Sequence, residues 1–412
     1  ERQRGRGARQ RCLACSLLVC LLASAGLSGK SPAHTAPGAM MKAAVWAAKA
    51  TPLAGKARYP CESYDLVLKD VPKPAFDPKA TPGKALVRVK AAALNPVDCK
   101  VIPPWWLGGP RPFGRDFSGV VEAVAEGNKR GLKVGDAVIG FGSEGVCREF
   151  VVQDINGLTK KPDNVDFEAA AGLGVVCFTD YDALFSETTA KARRAPISED
   201  SRVLVIGASG GTGVVAVQMA KRCGNAKLVV GVCSGRNAET VTSCGADRVI
   251  DYTQLDLPAL SATTDVEELR KAFGGELFDV VYDCVSSSEG DFDYKPIAKR
   301  LLQNPGGQYV CINSSSGKAW IKGLLSKGTG RDWFQKADED LFLPTFTPEK
   351  GDKLSQWMGE EKLKLPVWKA VDFRGSLNEA WEAQISRRAV GKVVITNIGA
   401  ADAGPAEAAP AQ

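Results

Sequence analysis

The sequence predicts an α/β protein in which a doubly wound parallel sheet stands beside a twisted, β-rich unit. Three observations predict it. A β-branched run at Arg202–Ile206 feeds directly into a glycine-rich turn and an apolar helix. Short apolar strands then alternate with helical segments as far as Ile312, the order of a parallel sheet wound on both faces. Between Met41 and Val152 the texture is different, with short strands broken by Gly and Pro as in a barrel-like all-β unit.

The 412 residues, 44% hydrophobic and 24% charged, are those of an ordinary globular chain with material for two or more domains. The net charge of +6 sits almost wholly in residues 1–39, where Arg2, Arg4, Arg6, Arg9, Arg11 and Lys30 face only Glu1. The rest is about neutral, which argues against nucleic acid as a partner, because phosphate binding needs a concentrated basic face. Within 1–39 a basic stretch precedes an apolar run, Leu13–Leu27, and a small-residue segment. That order fits a secretory signal or an organelle leader, plastid or mitochondrial. Translation from Met40 or Met41 would instead leave 1–39 outside the working protein and place it in the cytoplasm. These readings stay open. No later apolar run is long enough to span a bilayer, so no integral membrane segment is expected in the body.

Cysteine and histidine narrow the chemistry. Cys12, Cys15 and Cys20 lie in the leader, and the CxxC of the first two has no second pair. The other nine cysteines, from Cys61 to Cys311, are odd in number and scattered through apolar runs, as small buried hydrophobes in a reducing compartment would be. The single histidine is His34. The body therefore has no His ligand for zinc, no Ser–His–Asp triad and no His base.

The strand Arg202–Ile206 leads into Gly207, Ala208, Ser209, Gly210, Gly211, Thr212 and Gly213, and then a helix over 214–221. Strand, glycine turn and helix in that order form a Rossmann dinucleotide site. Bare backbone lets the chain approach a pyrophosphate, and the helix N-terminus offers it N–H groups. A second strand, Leu228–Cys233, ends where cofactor choice is made. The residues there are Ser234, Gly235, Arg236 and Asn237, with no carboxylate to hold the ribose hydroxyls. Arg236 and Ser234 suit a 2′-phosphate, so NADPH is expected over NADH. Strands at 249–250, 278–284 and 307–312 continue the sheet. In the flanks, strands are expected at 84–89, 119–124, 135–140 and 392–396, and a helix at 377–386.

Several runs in this order carry a resemblance. They include Ala93-Leu94-Asn95-Pro96-Val97-Asp98, Gly114-Arg115-Asp116-Phe117-Ser118-Gly119, Lys133-Val134-Gly135-Asp136, Phe178-Thr179, the glycine turn, Asp251-Tyr252, Asp279–Cys284 and Gly391-Lys392-Val393-Val394. Together they resemble the zinc-free medium-chain dehydrogenase/reductase superfamily, in its quinone oxidoreductase (zeta-crystallin-like) and enoyl reductase branch, over Met41 to Thr396. The resemblance implies a GroES-like catalytic domain made from both ends of the chain, with the Rossmann domain inserted and the active site in the cleft. The expected layout is a leader or extension at 1–39, catalytic domain at 40–175, Rossmann domain at 176–340, a return to the catalytic domain at 341–397, and a disordered tail at 398–412. Zinc enzymes of the superfamily carry Cys and His where this chain aligns Asn95 and Arg115, so no metal is expected.

The resemblance also implies roles. NADPH would give hydride to a quinone or to an activated carbon–carbon double bond. Asn95 either polarises the substrate oxygen or holds the cleft backbone, and Asp98 orients the loop. Thr179 resembles the residue beside the nicotinamide, or stiffens a helix start. Tyr252 resembles the residue near the 2′-phosphate, and Lys392 one that closes the cofactor cleft. The aromatic segment Trp320 to Thr347 lines a substrate pocket or packs the edge of a homodimer. Departures from the family pattern are Cys99, Thr212 and Ser286. The alternatives are a 2-alkenal or enone reductase as the main activity, and an NADPH-binding structural or assembly protein with little turnover.

Overall fold

The computed structural model describes residues 39–48, 64–100, 113–142, 145–185, 197–286, 292–303, 307–312 and 346–400. The leader, Cys61, Trp320, Trp333, Phe334, Phe342 and residues 401–412 lie outside them.

The first part of the chain supplies strands β1 (Met40–Ala48), β2 (Tyr64–Pro72), β3 (Lys84–Ala93), β4 (Asp116–Val124), β5 (Ala137–Phe141), β6 (Phe150–Asp154) and β7 (Leu158–Lys160). The middle supplies β8 (Arg202–Ile206), β9 (Leu228–Cys233), β10 (Arg248–Asp251), β11 (Val280–Asp283) and β12 (Gln308–Cys311). The last part adds β13 (Val367–Asp372) and β14 (Lys392–Thr396).

Strands β8 to β12 form a parallel sheet in the order β10-β9-β8-β11-β12. Val203, Leu204, Val205 and Ile206 are all buried, as a strand covered on both faces by helices requires. The order reverses between β8 and β11, and a ligand crevice forms at such a switch point, beyond the carboxyl ends of the strands. The helix after the glycine turn spans Gly211–Gln218 and widens into a π turn through Cys223. It begins three residues before the expected position, because Gly211, Thr212 and Gly213 are already helical.

The second sheet runs β13-β14-β3-β4-β5-β7, with β6 also on β3. Strand β14 pairs antiparallel with β3, Val394 opposite Ala93, and parallel with β13. Both flanks of the parallel sheet thus build one unit. Its core holds Phe117, Val393 and Ile395, together with Trp46 edge-on to Phe113 and Trp381 at 5.0 and 4.6 Å. The β1–β2 hairpin docks on it through Ala44 N–H to Cys147 O at 2.8 Å.

Order runs further than the expected tail boundary at 398. Ile398 is buried and its N–H donates to Lys90 O at 3.1 Å, and Arg374 donates to Ala400 O. Among the described residues seven cysteines are free thiols, and no helix is long and apolar enough to cross a membrane.

Candidate active site and dinucleotide cleft

At the end of β8 the backbone turns on Gly207, whose φ of +79° is one that L side chains rarely adopt. Gly213 lets the helix lie flush on the turn, since a Cβ there would stand 2.2 Å from Gly207 O. Gly210 is the helix N-cap and makes no side-chain cap hydrogen bond; a Cβ on it would meet only Gly207 O, at 3.5 Å. An N-terminus without a side-chain cap at the switch point fits an anionic pyrophosphate. Gly391 closes on this turn: it bridges to Gly210, and its N–H donates to Ser209 O at 3.2 Å.

Ser234 and Arg236 follow β9, Arg236 exposed in a short 3₁₀ turn. Cys233 pairs with Asp251 across the sheet, so Ser234 and Tyr252, which is 41% exposed, leave adjacent strand ends side by side. Asn237 Nδ2 donates to Ser209 Oγ at 3.1 Å and ties this end to the glycine turn. One residue here was not expected. The run 233–237 lacks a carboxylate, yet the fold brings Asp251 against Gly235, where a Cβ would lie 2.4 Å from Asp251 Oδ2. Thr253 donates to Asp251 from its hydroxyl and its N–H, and these bonds hold the carboxyl below its ordinary range.

The other end of the cleft is a buried charged cluster. Asn95, Asp98 and Lys392, picked out separately in sequence, come together with Arg115 and Asp116. Lys392, 3% exposed, donates through Nζ to Asn95 Oδ1 at 2.7 Å and Leu94 O at 3.0 Å, and lies 3.7 Å from Asp116 Oδ2. Asn95 Nδ2 donates to Asp116 Oδ2 at 2.8 Å. Both ends of the amide are therefore turned into the cluster, toward Asp116 and Lys392. Asp98 Oδ2 accepts the Asn95 N–H at 2.9 Å, and its Oδ1 lies 3.6 Å from Arg115 Nε. The Asp98 side chain is 2% exposed and that of Arg115 26%, so Arg115 is the member that reaches outward.

Burial dominates the electrostatics. It pushes Asp98 up to about 7, with Arg115 opposing. Asp116 is raised by burial against the pull of Lys392 and Asn95, and Lys392 is lowered by burial against the pull of Asp116 and Asp98. Asp116 was overlooked as a site residue, though a carboxylate opening an otherwise apolar strand run is a visible signal. Gly174 makes room for it: a Cβ there would stand 2.1 Å from Asp116 Oδ1, which also accepts the Val175 N–H at 2.9 Å. Thr179 lies in the same helix, Gly174–Phe185, buried, its hydroxyl donating to Val175 O at 2.7 Å. Among the described residues no group of His, Cys, Asp and Glu is arranged to hold a metal ion.

Comparison with known proteins finds two family models that match this chain. Residues 81–191 match the family model of the alcohol dehydrogenase GroES-like domain, and residues 244–395 that of zinc-binding dehydrogenase. The chain is 30% identical over 288 residues to trans-enoyl reductase milB of Cordyceps militaris, across 65% of this chain and 75% of the relative. To protein YIM1-1 of Lachancea thermotolerans it is 31% identical over 342 residues, across 76% and 89%. To trans-enoyl reductase fsa3 of a Fusarium species it is 32% identical over 250 residues, and it spans 58% of this chain and 66% of that relative. The solved quinone oxidoreductase from Coxiella burnetii superposes with a TM-score of 0.64 at 22% identity, over 87% of this chain and 99% of that one, a likeness of fold.

Proposed function

Because the chain belongs to the quinone oxidoreductase and enoyl reductase branch of the medium-chain dehydrogenase/reductase superfamily, and so is an oxidoreductase acting on a small molecule, we propose that it uses NADPH to reduce an activated carbon–carbon double bond or a quinone. One observation carries the reading. Gly391 bridges the glycine turn and the next residue, Lys392, enters the charged cluster, so the cofactor cleft and the polar end of the site are one residue apart.

When bound, the cofactor supplies a hydride. The first turn of the helix Gly211–Gln218 receives its pyrophosphate, with Ser209, Gly210 and Thr212 around it. Arg236 and Ser234 take the 2′-phosphate, Tyr252 flanks it, and Thr179 borders the nicotinamide. Asp251 works against a 2′-phosphate, but its Oδ1 is engaged twice by Thr253, whereas Arg236 is exposed and can make charge-assisted bonds. The substrate oxygen gains negative charge as hydride arrives and needs a donor. With the Asn95 amide turned inward, Arg115 takes that part, steadied by Asp98. Asn95, Asp116 and Lys392 hold the loop that carries them, and the proton that completes the reduction comes from solvent. The trans-enoyl reductases among the relatives favour the double bond over the quinone as the main acceptor.

The test is oxidation of NADPH and of NADH by the purified protein with a 2-alkenal and, separately, with a quinone, a chelator present throughout. Faster, chelator-insensitive oxidation of NADPH supports the proposal, and the better acceptor names the activity. Binding of NADPH without turnover on either acceptor would move the protein to a structural or assembly role. Absence of binding would overturn the roles given to residues 207–213 and Arg236.

A further inference from the structure

A cavity of about 160 Å3 opens beside the charged cluster. Its apolar walls come from Phe141 and Leu158 on β5 and β7, Leu173 and Phe178 at the helix Gly174–Phe185, and Phe346 and Gly351 at the helix Pro348–Gly359, and Asp154 and Asn156 border it at the end of β6. An apolar void of roughly that size holds a benzene-sized group. Phe141 stacks on Phe346 at 3.9 Å with the rings 5° apart, and Phe178 tilts onto Phe346 at 4.7 Å. Three aromatic rings thus form one part of the wall. The hydroxyl of Thr159, which also borders it, is committed to Asp352 at 2.7 Å.

Strand register fixes where the cavity lies. Phe141 is the cross-strand partner of Asp116, and partners in an antiparallel pair share one face of the sheet. Gly174 both lines the cavity and packs against the Asp116 carboxylate. An aromatic wall and a charged cluster therefore stand next to each other on one sheet face, as a molecule with an apolar body and a polar oxygen would need.

Gly351 is informative because neither its backbone nor its neighbours call for glycine. It is not among the residues of positive φ, and a Cβ on it would meet Phe178 and Thr159 at 3.5 Å, ordinary contact. Glycine inside a helix weakens it relative to alanine. What glycine provides here is space.

We propose that this cavity takes the apolar body of the acceptor, a ring or hydrocarbon chain of about benzene's size, while the acceptor's oxygen faces Arg115. The proposal rests on the reductase reading above. It is tested with the full chain, NADPH and a series of 2-alkenals lengthened from but-2-enal one methylene at a time. In the wild type kcat/KM climbs by about fourfold per methylene, the worth of burying one CH2 group, until the cavity is full. In Gly351→Leu the climb ends at a shorter chain than in the wild type, because the cavity has been filled. Gly351→Ala separates the effect of helix strengthening from that of filling.

Toluene gives a second readout. It raises the melting temperature of the wild type, as any ligand of the folded state does, and competes with long 2-alkenals but not with but-2-enal. A chain-length series that is flat in the wild type, or one that Gly351→Leu leaves parallel to it, overturns the proposal. If Gly351→Leu does not fold, toluene competition on the wild type decides, and competition with both short and long acceptors, or with neither, overturns it. Failure of the wild type to reduce any acceptor overturns the reductase reading instead, and melting in toluene then tests the cavity alone.

Discussion

Lys392 is an ammonium group in a place that water scarcely reaches, and its neighbours are chosen accordingly. Two carboxylates, an amide oxygen and a main-chain carbonyl surround it, and such compensation is what keeps a buried charge tolerable. Asp98 in this cluster gives a prediction with a definite sign. Its carboxyl rises from 3.8 to about 7 on folding, so within that window the folded chain keeps a proton that the unfolded chain has released. Raising the pH through the window therefore costs stability, by an amount on the order of 4 kcal/mol at full effect. Urea unfolding at several pH values should show Asp98→Asn gaining on the wild type as pH rises from 4 to 7, and a constant difference between them would refute the assignment. Arg236 makes a second prediction. Arg236→Ala should raise the Kd for NADPH by about tenfold to a hundredfold, the loss of a charge-assisted contact, and leave NADH unchanged in titration calorimetry. A third residue, Asp180, is fully buried and, among the described residues, accepts only from the Tyr282 hydroxyl, at 2.6 Å, with its other oxygen lacking a partner there. Burial drives that carboxyl well above its ordinary range.

At the scale of elements, the glycine turn and the start of the helix Gly174–Phe185 are joints where one missing side chain sets the geometry. Gly213→Ala drives a Cβ into Gly207 O and should cost about 3 kcal/mol of stability in chemical denaturation, with NADPH affinity falling alongside. Strands that are β-branched buried runs were legible in sequence; Arg202–Ile206 and Leu228–Cys233 of the parallel sheet and Lys392–Thr396 of the second sheet match residue for residue. Helix starts were less legible. Gly211 to Gly213 read as turn, since glycine is a poor helix former, yet tertiary packing on Gly207 makes them the first helical turn. The charged cluster was legible only as separate residues. Asn95 and Lys392 stand 297 positions apart, and nothing local in either segment announces the other. The place of Asp251 was hidden for a related reason: it belongs to the neighbouring strand and meets Gly235 only once β10 lies against β9.

At the scale of the molecule, a hydrophobic cluster that runs from Ile139 through Leu173 and Phe178 to Val203 and Leu365 joins the two sheets, and specific polar ties add to it. Gln218, buried in the helix after the glycine turn, donates to Lys364 O and accepts from Lys364 N–H, both at 2.8 Å. Gln218→Leu leaves both main-chain groups of Lys364 without these partners and should cost about 3 kcal/mol. Calorimetry should then show separate melting of the two units, where a single transition would mean that other contacts suffice. The same division of the chain has a consequence in time. Strand β3 leaves the ribosome almost three hundred residues ahead of β14, the strand that pairs beside it and brings Lys392 to Asn95. At about 5–20 residues per second, that is an interval of roughly 15–60 s. The parallel sheet, complete by Cys311 among the described residues, can assemble during the wait, while the Ala92–Ala93 end of one edge of β3, beyond the stretch that β6 covers, stays open and Asp116 has no counter-charge from Lys392. A newborn chain is therefore most exposed to wrong strand pairing in this interval, and a folding helper that covers such an edge would matter most then.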